Sequence, residues 1–113
     1  MSQRDPLVPL RHMLDHAREA TKMMAGKSRA DLETNRMLAL AISRLLEIIG
    51  EAAGRISKGE QERHPGIKWI NIVSMRNRII HGYDNINLDI MLSVVKEDFP
   101  TLIHELESII GKK

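Results

Sequence analysis

The chain has 113 residues, 42% of them hydrophobic and 28% charged, with a net charge of +2 and a pI near 9.2. That is one domain, residues 1–113, with enough apolar content for a single core and little room for a second. The absence of cysteine excludes disulfides and thiolate chemistry, and three aromatics (Trp69, Tyr83, Phe99) are too few for a platform that stacks single-stranded nucleic acid.

The N-terminus carries no apolar core of the signal-peptide type, and no 18-residue apolar run occurs. A soluble, cytoplasmic protein with no membrane contact is the expectation. Charge is unevenly spread. Arg55, Lys58, Arg63, Lys68, Arg76 and Arg78 crowd the stretch up to His81, against Glu60 and Glu62. From Asp84 to Glu107 the acids dominate, with Lys96 the one cation. A basic side suits phosphate, and an acidic side suits a charged protein partner. Solvated faces of mixed charge give the same composition.

Apolar residues recur at helical spacing throughout, and strand-like alternation is absent. Asp5-Pro6 starts the first helix, which runs to about Met24 and stops at Gly26. Leu10, Leu14, Ala17 and Thr21 form its inner stripe, with His12, Asp15, His16 and Glu19 on a polar side. His12 and His16 have the i, i+4 spacing of two metal ligands, but no third ligand is assigned, so no metal is expected. Ser28 to Asp31 reads as a capping box opening a long second helix to about Ser57. Leu38, Ala41, Ile42, Leu45, Ile49, Ala52 and Ile56 make its apolar face. Gly50 and Gly54, four apart on this helix, are expected to let a neighbouring backbone come close. Glu47 and Glu51 are either paired to Arg44 and Arg55 on the surface, or Glu51 turns inward to orient a functional arginine or histidine.

After a loop at His64-Pro65-Gly66, a third helix carries Trp69, Ile70, Ile72, Val73, Ile79 and Ile80 and ends at Gly82. Asn85 or Asn87 caps a fourth, with its stripe on Leu88, Met91, Val94, Val95, Leu102, Leu106 and Ile109. Pro100 must kink it near Asp98, which can cap a restart. The expected fold is all-α: an antiparallel four-helix bundle, or five helices if the kinked last one is counted twice.

Met75 to Tyr83 concentrates groups that bind phosphate and move protons. Histidine is the natural proton carrier near neutral pH, and the place of His81 at a helix end is expected to favour the imidazolium form. Arg76 offers a forked donor set matched to phosphate oxygens. These are the two functions needed to cut RNA through its own 2′-OH, with no metal or other cofactor. Geometry raises an objection. Five residues apart on an unbroken helix, Arg76 and His81 point about 140° away from each other. They converge only if His81 swings round at the helix end or a second chain completes the site. A twofold homodimer would also provide separate acid and base. Asn77 shares a helical face with His81 and is a candidate to orient it. Arg78 either contacts substrate or is a solvated cation.

Arg76-x4-His81-x-Tyr83 resembles the R-x4-6-H motif of HEPN-domain ribonucleases, in the R-x4-H-x-Y form of HepT-like toxins. Leu45-Leu46-Glu47-Ile48-Ile49-Gly50-Glu51-Ala52 is similar to the family's second-helix signature. Trp69 stands seven residues before Arg76, and Asp98-Phe99-Pro100-Thr101-Leu102 resembles the proline turn of its last helix. Lys68 departs from the proline that relatives often carry before the tryptophan. The resemblance implies a HEPN-like bundle and a dimeric, metal-independent RNase, the toxin of a type VII-like toxin–antitoxin pair. It also implies a partner, an MntA-type minimal nucleotidyltransferase that silences the toxin by AMPylating Tyr83, where AMP adds bulk and negative charge. Without the resemblance, Tyr83 reads as a half-buried packing residue. The alternative function is a HEPN module that binds nucleotide or docks a nucleotidyltransferase without cutting.

Overall fold

The computed structural model describes residues 5–82 and 85–111. It is a helical bundle with one short antiparallel ribbon set into it. The elements are α1 (Leu7–Met24), α2 (Arg29–Thr34), α3 (Arg36–Gly54), α4 (Lys58–Glu62), α5 (Trp69–Val73) and α6 (Met75–Ile79). Then come β1 (Ile80–His81), β2 (Asn85–Ile86), α7 (Leu88–Ser93), a π turn (Val94–Asp98) and α8 (Phe99–Ile110). The all-α class is thus observed, with the ribbon as an addition that the sequence pattern did not reveal.

α1 lies against both α3 and α8 and is the centre of the core. Its Leu10, Met13, Leu14, Ala17 and Ala20 meet Ile42, Leu46 and Ile49 of α3 and Phe99, Leu102 and Leu106 of α8 in one buried cluster. Each fully buried leucine, isoleucine, methionine or phenylalanine among them contributes about 1.5–3 kcal/mol. Asp5 caps α1 by accepting the Leu7 N–H at 2.9 Å, and Gly26 takes φ +75° just past its end.

Three of the expected helices are interrupted or reshaped, each for a local reason. The long second helix is split at Asn35. Its side chain accepts the Leu38 N–H at 3.0 Å, so it starts α3 afresh after the Ser28–Asp31 capping box has started α2. The core face of α3 is also turned from the expected one. Ala39, Ser43, Leu46 and Ala53 are buried, Leu38 and Leu45 are half-buried, and Ala41 is exposed. The third helix breaks at Ser74, whose hydroxyl donates back to the Ile70 carbonyl at 2.8 Å, a bond that bends helices. The break leaves Ile70 and Val73 outside, at 84% and 44% exposure, rather than in the core.

At Pro100 the last helix is neither broken nor capped by Asp98. Proline has no N–H for a bond to the carbonyl four residues back, and its ring crowds that carbonyl. The chain widens into the π turn before it, with the Phe99 N–H donating to the Val94 carbonyl.

Gly50 and Gly54 divide as the packing requires. A Cβ on Gly50 would stand 3.0 Å from the Ile72 carbonyl oxygen and 3.3 Å from Met75 Cβ. On Gly54 it would meet only Val73 Cγ1, at 4.0 Å. Gly50→Val is therefore expected to destabilise the protein by about 1–3 kcal/mol in urea unfolding. Gly54→Ala should stabilise it by up to about 1 kcal/mol, through helix propensity alone. The reverse order would show that α5 does not seat on Gly50.

Candidate active site

α6 is a single turn and a half of helix, and the site is built where it stops. The Ile80 N–H still closes the last turn on the Arg76 carbonyl, but Ile80 itself is extended, at φ −106° and ψ 124°. Ile80 pairs directly with Ile86, and His81 with Asn85. Both isoleucines are half-buried and pack on the core. Side chains alternate along a strand, so with Ile80 facing in, His81 must face out. It is exposed. Gly82 makes the turn at φ +70°. It ends the ribbon strand, three residues after the helix has already ended.

The sequence expectation put His81 on the last turn of a helix. It is on a strand instead, so the imidazolium preference argued from a helix terminus has no basis in this fold. The i, i+4 relation to Asn77 also disappears, because Asn77 stays on α6 while His81 has left it. Asn77 is exposed. The amide that faces the imidazole belongs to Asn87, whose Nδ2 lies 3.2 Å from His81 Nε2. Reading the sequence identified Asn87 only as a candidate helix cap, which it also is: its Oδ1 accepts the Ile90 N–H at 3.0 Å. Its pairing with His81 needs the ribbon, and no sequence signal had announced the ribbon.

Arg76 is exposed on α6, one turn before the chain leaves the helix. Arg78 is not its equal. It is half-buried, lies 3.8 Å from Asp98 on the π turn, and holds one buried guanidinium nitrogen, Nη1, without a hydrogen-bond partner. Glu51 faces solvent, with 61% of its side chain exposed, and pairs at 3.8 Å with Arg44, which also reaches Glu47 at 3.3 Å. This is a pairing on the surface, with Arg44 rather than Arg55 as the partner of Glu51. Tyr83 lies outside the described residues. A cavity of about 440 Å³ bounded by Lys58, Gln61, Trp69 and Ile70 includes none of the motif residues. His12 and His16 sit side by side on α1, and His16 Nδ1 is 2.7 Å from the His12 carbonyl. Among the described residues no group of three or more potential ligands surrounds a metal position, and no helix is long and apolar enough to cross a membrane.

A family model described as "Ribonuclease HepT-like" matches residues 13–109. The chain belongs to the HepT-like ribonuclease family. Among its relatives is a Methanocaldococcus jannaschii protein named "Putative RNase", 33% identical over 109 residues, which cover 96% of this chain and 100% of that one. A Thermococcus cleftensis protein named "Probable ribonuclease HepT" is 30% identical over 108 residues, covering 96% of each chain. A Caldanaerobacter subterraneus protein, also named "Putative RNase", is 31% identical over 104 residues, covering 92% and 93%. No solved structure matches the chain. Family membership makes ribonuclease chemistry the function class of this domain, and it spans nearly all of the bundle described above.

The two arginines should separate by experiment. Arg76→Ala removes an exposed side chain and should leave the unfolding free energy within about 0.5 kcal/mol of the parent. Arg78→Ala removes a half-buried stem and its link to the π turn, and should cost about 1 kcal/mol or more in the same urea titration. Equal costs would contradict the orientation of α6.

Proposed function

We propose that the chain is the toxin of a toxin–antitoxin pair and that it cleaves cytoplasmic RNA through attack by the 2′-OH. The reading is carried by one observation: Arg76 and His81 are both open to solvent on a single short segment, in a chain of the HepT-like family. His81 takes the proton from the 2′-OH, and the electron pair left on that oxygen closes on phosphorus. The bond from phosphorus to the 5′ oxygen breaks, and that oxygen is protonated as it leaves. Arg76 binds the phosphate oxygens on which charge accumulates. The products are a 2′,3′-cyclic phosphate and a 5′-hydroxyl. A single imidazole cannot both hold and lack a proton, so we assign the acid to His81 of a second copy in a twofold dimer. Ile70 and Met37, at 84% and 81% exposure, support a surface that a further chain covers. Arg78, fixed by Asp98, adds positive charge behind the phosphate.

The proposed partner is a minimal nucleotidyltransferase that transfers AMP from ATP to the Tyr83 hydroxyl. Tyr83 is two residues from His81 in sequence. An AMP group there would bring a phosphate's charge into the region that must receive the substrate's own.

His81→Ala and Arg76→Ala should each lower RNA cleavage at least about 100-fold, with unchanged melting temperatures. An oligonucleotide with deoxyribose at the cut site should resist, and a chelator should leave the rate as it is. Unchanged cleavage in both variants would remove Arg76 and His81 as the catalytic pair, and no cleavage by the parent chain would leave a binding module. Full activity from a strictly monomeric protein in sedimentation would remove the shared site. With the nucleotidyltransferase and ATP, the intact mass should rise by one or more AMP units. The same rise in Tyr83→Phe would place the modification elsewhere.

A further inference from the structure

Asn87 stands at a junction of three elements. Its backbone N–H donates to the carbonyl of Ile79, the last residue of α6, at 2.7 Å. Its Oδ1 accepts from Ile90 N–H in the first turn of α7 at 3.0 Å. Its Nδ2 faces His81 Nε2 at 3.2 Å. The two ends of a side-chain amide cannot be told apart by shape, but here chemistry decides between them. A backbone N–H can only donate, so the amide atom that meets Ile90 must be the oxygen. The atom left for His81 is then the NH₂ group, which has hydrogens to give and no lone pair to offer. The ring nitrogen facing it must accept. His81 Nε2 therefore carries its lone pair, and in the neutral ring the proton sits on Nδ1. An imidazolium, with protons on both nitrogens, cannot take this bond.

We propose that Asn87 is a positioning residue that sets the proton on His81, holding the ring as the Nδ1–H tautomer with Nε2 as the basic atom. This rests on the reading that His81 transfers the proton in RNA cleavage, and it names the atom that does so. The 2′-OH takes the place of the Asn87 N–H at Nε2. The oxygen–hydrogen bond breaks, the new nitrogen–hydrogen bond forms, and the electron pair remains on the 2′ oxygen. Once protonated, Nε2 no longer fits opposite an NH₂ group, so the ring is pushed off Asn87 and can hand its proton on. The helix cap is what makes this work. Were Asn87 free to flip its amide, the carbonyl would face the ring and favour the opposite tautomer. Flipping would place NH₂ against the Ile90 N–H and uncap α7.

Two variants separate the cap from the proton. Asn87→Asp keeps an acceptor for Ile90 but offers His81 only an acceptor. Asn87→Ser also keeps a capping oxygen, on a side chain too short to span to the ring. The full chain, labelled with ¹⁵N and assigned against His81→Ala, reports the tautomer through long-range proton–nitrogen correlations. The expected result is a proton on Nδ1 in the parent and on Nε2 in Asn87→Asp, with both variants unfolding near the parent's midpoint. A parent ring protonated on Nε2 would overturn the proposal. So would an Nδ1–H ring that persists in a folded Asn87→Asp. In Asn87→Ser, kcat should fall by about tenfold or more, within what general base catalysis supplies, with KM unchanged; a kcat equal to the parent's would deny Asn87 any role in the reaction. If the tautomers behave as expected while Arg76→Ala and His81→Ala still cleave at the parental rate, the positioning stands and the ribonuclease reading of the site is what fails.

Discussion

The hydrogen bond from the Asn87 N–H to the Ile79 carbonyl, at 2.7 Å, closes the structure around the site. It ties the last residue of α6 to the residue that caps α7, so the chain between them must go out and return as a hairpin. Within that hairpin the inward place goes to Ile80 and its partner Ile86, because each has apolar surface to bury. His81 then has one face left to it, the solvent side. The exposure of the imidazole is in this sense a consequence of burying its neighbours. It also takes His81 off the helix that carries Arg76, so the 140° divergence of a continuous helix does not apply to the pair.

α6 can end so abruptly because what precedes it is seated firmly. The Ile72 carbonyl comes down onto Gly50 of α3, 3.0 Å from where a Cβ would stand, so any side chain there must push its neighbour aside. Ser74 then gives both its backbone N–H and its hydroxyl to the Ile70 carbonyl. α5 and α6 are two short pieces, each too short to hold as an isolated helix. Their shape comes from the α3 surface beneath them and from the buried Trp69, Ile72, Met75 and Ile79 that hold them to it.

The sequence made most of the bundle legible, because helix starts are local chemistry. Asp5, Ser28 with Asp31, and Asn87 as one of two candidates beside Asn85, were readable as caps from the residues alone, and all three starts are capped by them. The apolar stripe of the last helix was readable for the same reason: Met91, Val94, Val95, Leu102 and Leu106 are buried, and Leu88 and Ile109 at its two ends are half-buried. What was not legible depends on distant partners. The break at Ser74 sits inside an apolar stretch and the one at Asn35 is marked by no glycine or proline, so the pattern alone favours one helix in each case. The ribbon is two residues per strand, too short for alternation to register. The residue types of the motif could be recognised as a proton carrier and a phosphate binder. Their setting could not, since His81 on a strand and His81 on a helix are the same letters. The chemistry attributed to a helix end was therefore misplaced, and Asn77 was considered where Asn87 stands.

The two arginines of the motif show how the scaffold divides labour between identical side chains. Two residues apart on a helix, Arg76 and Arg78 point about 200° apart, so only one of them can face the solvent side of α6. The π turn settles which. By accommodating Pro100 it inserts one extra residue into the last helix, and Asp98 at its end lies 3.8 Å from Arg78. A half-buried guanidinium with an unpartnered Nη1 is costly to hold in place, and a carboxylate beside it offsets part of that cost. With Arg78 so engaged, α6 cannot rotate about its axis without burying Arg76 or stranding Arg78. The same helix is pinned below by Gly50 and at its end by Asn87. Arg76 is left free of these duties and open to solvent, the condition under which a guanidinium can exchange water for phosphate.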